Sequence, residues 1–290
     1  MFETTEKPQS FALTRPAHVG QAHLVVRDLP TVSSFYQSML GLAPLETSNS
    51  GVVLGAGQTP LLTLSTEGDV ARAPRNAAGL FHNAFLMPNR RELAHWLAHA
   101  VHRGVQLDGA SDHLVSEAIY LSDPEGNGIE VYADRPVDDW TFNADGTVEM
   151  ATLRLDLQAL YDSAPKGNWA GMADGAAMGH IHLQVGDIPS ADKFYEGVLG
   201  LKKMARYPGA SFFGSGSYHH HVAANIWNSR GATTRADHMS GLKGYSIRFN
   251  DQTALDTALK TLDELEIPVE RTAEGHALKD PWGIGVTLSA

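Results

Sequence analysis

Fourteen histidines and no cysteine single out one chemistry in this 290-residue chain. Neutral imidazoles and carboxylates are the donors that divalent first-row metals accept, so a nitrogen/oxygen metal site is what this inventory can build. Thiolate ligands, disulfide frameworks and cysteine nucleophiles are ruled out. The histidines with the most suggestive neighbours are His82 in Gly79-Leu-Phe-His82, His113 in Asp112-His113, the pair His180 and His182, and the run Tyr218-His219-His220-His221. A carboxylate, Glu130, closes Asp123-Pro-Glu-Gly-Asn-Gly-Ile-Glu130, and Tyr120 stands ten residues before it. Taken singly, each has a plain reading: a histidine on the surface or satisfied in a core, a charge on an edge strand, an aromatic in packing. Only elements that bring them together turn them into a site.

Those elements come from a duplication. Gly20-Gln-Ala-His23-Leu-Val-Val-Arg-Asp28-Leu-Pro30 reappears as Gly179-His180-Ile-His182-Leu-Gln-Val-Gly-Asp187-Ile-Pro189, at a constant offset of 159. The offset also carries Phe35-Tyr36 onto Phe194-Tyr195 and Leu40-Gly41-Leu42 onto Leu199-Gly200-Leu201. A weaker repeat opens at Gly79-Leu80 and Gly241-Leu242. It closes at Asp123-Pro124-Glu-Gly126-Asn-Gly128 and Asp280-Pro281-Trp-Gly283-Ile-Gly285. The chain therefore reads as four modules, 17–66, 79–135, 179–229 and 241–289. Each follows one grammar. An alternating run such as His23-Leu-Val-Val26 reads as a strand. Asp28 before Leu-Pro30 reads as a helix cap. Val32, Phe35, Tyr36, Met39 and Leu40 form one apolar helical face, and Gly41 marks its stop. Short apolar runs such as Val52-Val-Leu and Leu61-Leu-Thr-Leu follow as strands, and Asp-Pro-x-Gly-x-Gly is a turn into the last one. Strand, helix, three strands is the expected order. Parity places His180 with His182, and Gln21 with His23, on one strand face.

Length and composition bound the rest. At about 150 residues per domain, 290 residues suit two domains. Hydrophobic residues at 43% are enough for a sizeable core, which excludes wholesale disorder. A formal charge of −11 argues against a nucleic-acid binder. No apolar run is long enough for a membrane span. The polar stretch 1–15 lacks the apolar centre of a signal peptide, so a cytoplasmic enzyme is the expected setting. Gly214-Ser-Gly216 lacks the lysine of a phosphate-binding loop.

The four modules and their motifs resemble the vicinal oxygen chelate superfamily, which includes glyoxalase I, extradiol dioxygenases and bleomycin- or fosfomycin-resistance proteins. The resemblance runs from about Thr14 to Leu288 and is strongest to four-module, catechol 2,3-dioxygenase-like members. Its most specific carriers are Tyr218-His-His-His221-Val-Ala-Ala-Asn225 and the strand ending in Glu130. The resemblance implies an α+β fold of four tandem βαβββ modules forming two curved mixed sheets. It divides the chain into an N-terminal extension (1–16), a first two-module domain (17–135), a connector (136–178) and a second two-module domain (179–290).

The implied activity is extradiol cleavage of a catechol-type aromatic diol with Fe(II) and O2, Mn, Ni and Zn being the alternative metals. The resemblance puts metal ligands at His82 and Glu130. Its third ligand position falls on His180 in the third module and on Gln21 in the first, with His23 close by, so the choice depends on which modules pair. In the fourth module the matching positions are Gly244 and Thr287, which supply no ligand. The resemblance also implies His220 as the proton-transferring histidine, Tyr120 as the group that steadies the substrate oxyanion, and His113 as an outer histidine. If residues 218–221 continue a strand, His219 and His221 face away from the site. Phe85, Phe212, Phe213 and Trp227 are candidates for an aromatic wall. Two other readings stay open: a glyoxalase-type lyase or isomerase using Ni(II) or Zn(II), and a small-molecule-binding protein without turnover. A homo-oligomer is compatible with curved sheets.

Overall fold

The computed structural model describes residues 9–236 and 238–290. Of the N-terminal extension, residues 1–8 lie outside the described residues; Phe11–Thr14 forms a short 3-10 turn with Ala12 fully buried.

All four modules take the expected order. The first comprises β1 (Ala17–Val25), α1 (Leu29–Met39), β2 (Ala43–Thr47), β3 (Gly51–Ala56) and β4 (Thr59–Ser65). The second comprises β5 (Gly79–Leu86), α2 (Arg90–His102), β6 (Gly109–Asp112), β7 (Ser116–Ser122) and β8 (Gly128–Asp134). The connector holds β9 (Leu153–Arg154) and α3 (Leu157–Asp162). The third has β10 (Ala177–Gln184), α4 (Ile188–Asp192) running on into a π-helical turn, β11 (Lys202–Tyr207), β12 (Ala210–Gly214) and β13 (Val222–Asn225). The fourth has β14 (Gly241–Phe249), α5 (Gln252–Glu264), β15 (Glu270–Thr272), β16 (Gly275–Lys279) and β17 (Gly285–Ser289).

Each module's helix starts on an acceptor side chain. Asp28, Asn89, Asp187 and Asp251 take the backbone N–H of Thr31, Glu92, Ser190 and Ala254, satisfying amides that have no partner within the helix. Gly41, at φ +63°, ends the first helix in the left-handed region that glycine adopts without strain.

Two curved mixed sheets result. One runs β15-β16-β17-β14-β1-β4-β3-β2, and the other β11-β12-β13-β10-β5-β8-β7-β6-β9. The first module thus joins the fourth through antiparallel β1 and β14, and the second joins the third through antiparallel β5 and β10. Each sheet takes one module from 17–135 and one from 179–290. Inside every module the first strand runs parallel to the last, which leaves its other edge free for the partner module.

One core packs the helices against the sheets, with Trp96, Tyr36, Phe85, Leu24, Leu62 and Ile181 fully buried in it. The Asp-Pro-x-Gly turns tie modules together. Asp280 accepts the N–H groups of Trp282 and Ile284 and the hydroxyl of Tyr195 at 2.9 Å. Asp123 repeats this on Glu125 and Asn127, with the Tyr36 hydroxyl at 3.5 Å. The tyrosine of each duplicated Phe-Tyr pair therefore reaches the turn of the following module. A smaller cluster, including Ala12, Ala84, Tyr132, Trp140, Val148, Met204 and Tyr218, packs residues of the extension and connector against the second sheet. The connector also extends that sheet, since β9 pairs with β6. Among the described residues no helix is long and apolar enough to cross a membrane.

Candidate metal centre

Ala84 in the middle of β5 is the pivot of the site. Glu130 on β8 is its partner on one side and His180 on β10 its partner on the other. His82 lies two residues along β5 and so shares the face of Ala84. All three polar side chains are buried, at 6, 3 and 2% exposure for His82, Glu130 and His180. Their ligating atoms converge: His82 Nε2 to Glu130 Oε2 is 2.9 Å, His180 Nε2 to the same oxygen 3.3 Å, and the two Nε2 atoms are 3.3 Å apart. Ligands at ~2.1 Å on one face of an octahedral ion lie about 3 Å from one another, so this donor set fits a divalent metal.

Burial works to raise the Glu130 pKa, but the imidazoles of His180 and His82 outweigh it and hold the carboxyl well below its usual value. Burial lowers His180 to about 4, with Glu130 opposing. An ionised Glu130 beside a neutral His180 is the protonation state a metal requires of them. Nδ1 of His180 has no hydrogen-bond partner, so the ring is held by packing between Tyr132, at 5.0 Å, and His220, at 4.1 Å.

Gln21 and His23 lie elsewhere. They occupy β1 in the other sheet, where Gln21 donates to Thr63 Oγ1 at 2.7 Å and His23 Nε2 meets Ser65 Oγ at 2.8 Å. There His23 faces Gly244, and Thr287 faces Ser246, just as His182 faces His82 and Glu130 faces Ala84. The first sheet keeps the geometry and lacks the ligands.

Tyr120 on β7 is the register partner of Glu130. His113 links it to the connector, with Nδ1 at 2.6 Å from the carbonyl of Ala151 and Nε2 at 2.7 Å from the Tyr120 hydroxyl. A carbonyl only accepts, so Nδ1 carries a proton, and Nε2 shares a hydrogen bond with the Tyr120 hydroxyl. Burial, then the charge of Glu130, pushes the Tyr120 pKa well up, so the phenol stays protonated.

Residues 218–221 differ from the alternating strand expected. β13 begins only at Val222, and the preceding residues bend. Neighbouring rings therefore meet: His219 Nδ1 lies 2.8 Å from His220 Nδ1. His221 does turn away, contacting the carbonyl of Ala12 and the N–H of Ser215. His220 lines the cavity above the cluster and stacks near His180. Burial, then His180 and His219, lowers its pKa well below that of free imidazole.

The cavity measures about 1330 Å³. Phe212 and Trp227 line it, whereas Phe85 and Phe213 are fully buried in the core. Sequence reasoning missed Phe81, whose ring lies 4.9 Å from His182 and 5.4 Å from Trp227. Its neighbour His82 faces the site, so strict alternation puts Phe81 on the other side. The β5–β10 register shifts between Leu80 and His82, and the extra residue of that bulge is Phe81. His182, which parity did place beside His180, lines the cavity with its Nε2 held 3.0 Å from Asn225 Nδ2.

Comparison with known proteins agrees with this architecture. The Bacillus subtilis (strain 168) protein named catechol-2,3-dioxygenase is 37% identical over 268 residues, 91% of this chain and 94% of that one. Two solved structures share the fold at low identity. A candidate dioxygenase from Bacillus subtilis superposes with a TM-score of 0.64 at 12% identity, over 94% of this chain and 84% of its own. Glyoxalase I from Zea mays superposes at 0.56 and 17%, over 96% and 94%. The family profile described as Glyoxalase/Bleomycin resistance protein/Dioxygenase superfamily matches residues 15–131 and 177–288, one match over each half of the repeat. The chain belongs to the glyoxalase/bleomycin resistance protein/dioxygenase superfamily.

Proposed function

We propose that this protein is an extradiol ring-cleaving dioxygenase that uses Fe(II) and O2 on a catechol-type aromatic diol. The observation that carries the reading is the His82–Glu130–His180 group, three ligands gathered on one side of a point whose other side faces a cavity. Among the described residues this is the group whose ligating atoms lie within 4.8 Å of one another. Three protein ligands leave coordination positions for two diol oxygens and dioxygen. The name of the Bacillus subtilis relative supports the same reading.

The bound iron would lower the pKa of the diol hydroxyls and bring diol and dioxygen together electronically. The chain does the rest. Phe81, Phe212 and Trp227 offer an aromatic wall to the ring. Tyr120, hydrogen-bonded to His113, keeps its hydroxyl fixed beside Glu130. His220 lies against His180 on the cavity side, where a neutral imidazole can take a proton from the diol and return it during ring opening. The cavity exceeds the about 300–1,000 Å³ of ordinary small-ligand pockets, which leaves room for ring substituents.

The test is metal binding paired with oxygen uptake. Protein reconstituted with Fe(II) without air is expected to consume one O2 per catechol and give a yellow ring-opened product. His82→Ala, His180→Ala and Glu130→Ala should each fold and lose most bound iron and all turnover. Full iron retention by these variants, or hemithioacetal conversion with Ni(II) or Zn(II) in place of oxygen uptake, overturns the reading.

A further inference from the structure

Behind His220 lies a chain of hydrogen bonds that ends on a carboxylate. Asp134, the last residue of β8, receives two of them on one oxygen, from the Tyr218 hydroxyl at 3.2 Å and from His219 Nε2 at 2.9 Å. An ionised carboxylate only accepts, so His219 carries its proton on Nε2. The Nδ1 of His219 stands 2.8 Å from Nδ1 of His220, so one proton lies between them. A His219 that holds a single proton, on Nε2, leaves the one between the rings to His220 Nδ1, and His220 Nε2 is then bare. That atom makes no hydrogen bond among the described residues, is not a sealed polar atom, and belongs to a ring that lines the cavity. His219 is fully buried and wedged between Tyr218, at 4.1 Å, and Trp140, at 5.2 Å, which keeps the ring from turning over.

We propose that His219 holds a single proton, on Nε2, and that Asp134 and His219 are thereby positioning residues that lock His220 in the Nδ1–H tautomer, so that its Nε2 lone pair is presented to the cavity as a base. This is the minor tautomer of free neutral histidine, and the protein selects it with one carboxylate two side chains away. The use of that base on a diol rests on the function proposed above; the tautomer itself does not. The side chain of Asp134 is 15% exposed, so the carboxylate touches solvent, whereas His219, between it and His220, is sealed.

The experiment reads the tautomer directly. Long-range proton–nitrogen correlation spectra of histidine-¹⁵N-labelled protein, metal-free and loaded with diamagnetic Zn(II), are expected to show His220 protonated at Nδ1 and His219 at Nε2, with assignment by His220→Gln and His219→Gln. Asp134→Leu, which removes the acceptor, should admit the Nε2–H form of His220 and lower kcat about 10- to 100-fold, with KM and metal content unchanged. Asp134→Asn keeps an oxygen acceptor and should retain the tautomer with a smaller loss. A wild-type His220 protonated at Nε2, or a doubly protonated His219, overturns the proposal without any variant. So does an Asp134→Leu protein that folds and keeps both signature and kcat. If the tautomer is found but wild-type protein cleaves no diol, the function proposed above fails and the positioning chain stands.

Discussion

At the scale of single residues, Tyr120 is held by both of its neighbours. Its oxygen lies 2.7 Å from His113 Nε2, and the Glu130 carboxylate also takes a hydrogen bond from it. Burial and the charge of Glu130 keep the hydroxyl protonated at the wall of the cavity. Tyr120→Phe removes this oxygen and leaves His113 bonded to Ala151. The expected result is iron content equal to wild type and kcat lower by about 10- to 100-fold, measured in steady-state oxygen uptake beside a metal assay. Unchanged kcat would reduce Tyr120 to packing. The sequence singled out Tyr120, Glu130, His82 and His180 because each sits on a motif with a distinct spacing, and the fold brings the four together. Sequence alone could not orient the Asp134 chain, because Asp134 and His219 are 85 residues apart and meet only across β8 and the bend before β13.

At the scale of elements, the two inner strands are bent by the same device and respond to it differently. The β5–β10 and β1–β14 ladders both skip a residue early in the duplicated strand, at Gly179 and Gly20. A Cβ at Gly179 would lie 1.9 Å from the Tyr132 hydroxyl and 2.7 Å from its ring carbon, with Leu86 Cβ at 2.9 Å. A Cβ at Gly20 meets Ser246 Oγ at 2.6 Å and Arg248 Nε at 2.9 Å; the arginine can move outward, and the serine can turn at the cost of the hydrogen bond it accepts from the Gln21 N–H. Tyr132 cannot move: it is fully buried, hydrogen-bonded to Tyr218 at 2.8 Å and packed on His180. Gly179→Ala should therefore cost about 2–3 kcal/mol and loosen metal retention, while Gly20→Ala costs about 1 kcal/mol. Urea unfolding of both variants with a metal assay checks this, and equal costs would refute it. Strand order, helix caps and turns were legible because Asp28, Gly41 and the Asp-Pro-x-Gly turns act locally. The bulges were not, since skipping a residue depends on the partner strand. That is why Phe81 escaped notice. Phe85 and Phe213 form no wall for the simpler reason of alternation: each lies an odd number of residues from a cavity-lining neighbour, His82 or Phe212, and turns into the core.

At the scale of the whole molecule, pairing the second module with the third gathers ligands from both halves of the repeat, and the same folding buries histidines throughout. Which modules pair was not readable from sequence, because all four first strands carry similar edges. Its electrostatic consequence is measurable. Burial, aided by Arg248, lowers His18 to about 4; burial, aided by Lys243, lowers His23 to about 4. Burial lowers His221 to about 3 against the pull of the Ala12 carbonyl, and its other nitrogen already accepts the Ser215 N–H. In the unfolded chain these imidazoles titrate near 6.5. The unfolded state therefore binds more protons below that pH, and their contribution to stability is whole above about 6.5 and declines as pH falls through the folded values near 4 and 3. Asp280 works in the opposite sense. Burial raises it to about 6, so between about 3.8 and 6 the folded state holds a proton that the unfolded state lacks. Three histidines against one carboxylate leave a net uptake on unfolding approaching two protons near pH 5 from these groups. Urea unfolding of the metal-free protein should show stability dropping steadily from pH 7 to pH 5, with these four groups giving a slope of about 2.5 kcal/mol per pH unit near pH 5 and His180, His182 and His220, which burial also lowers, steepening it. Stability that is flat or rising over that interval would mean the buried histidines are charged in the folded state.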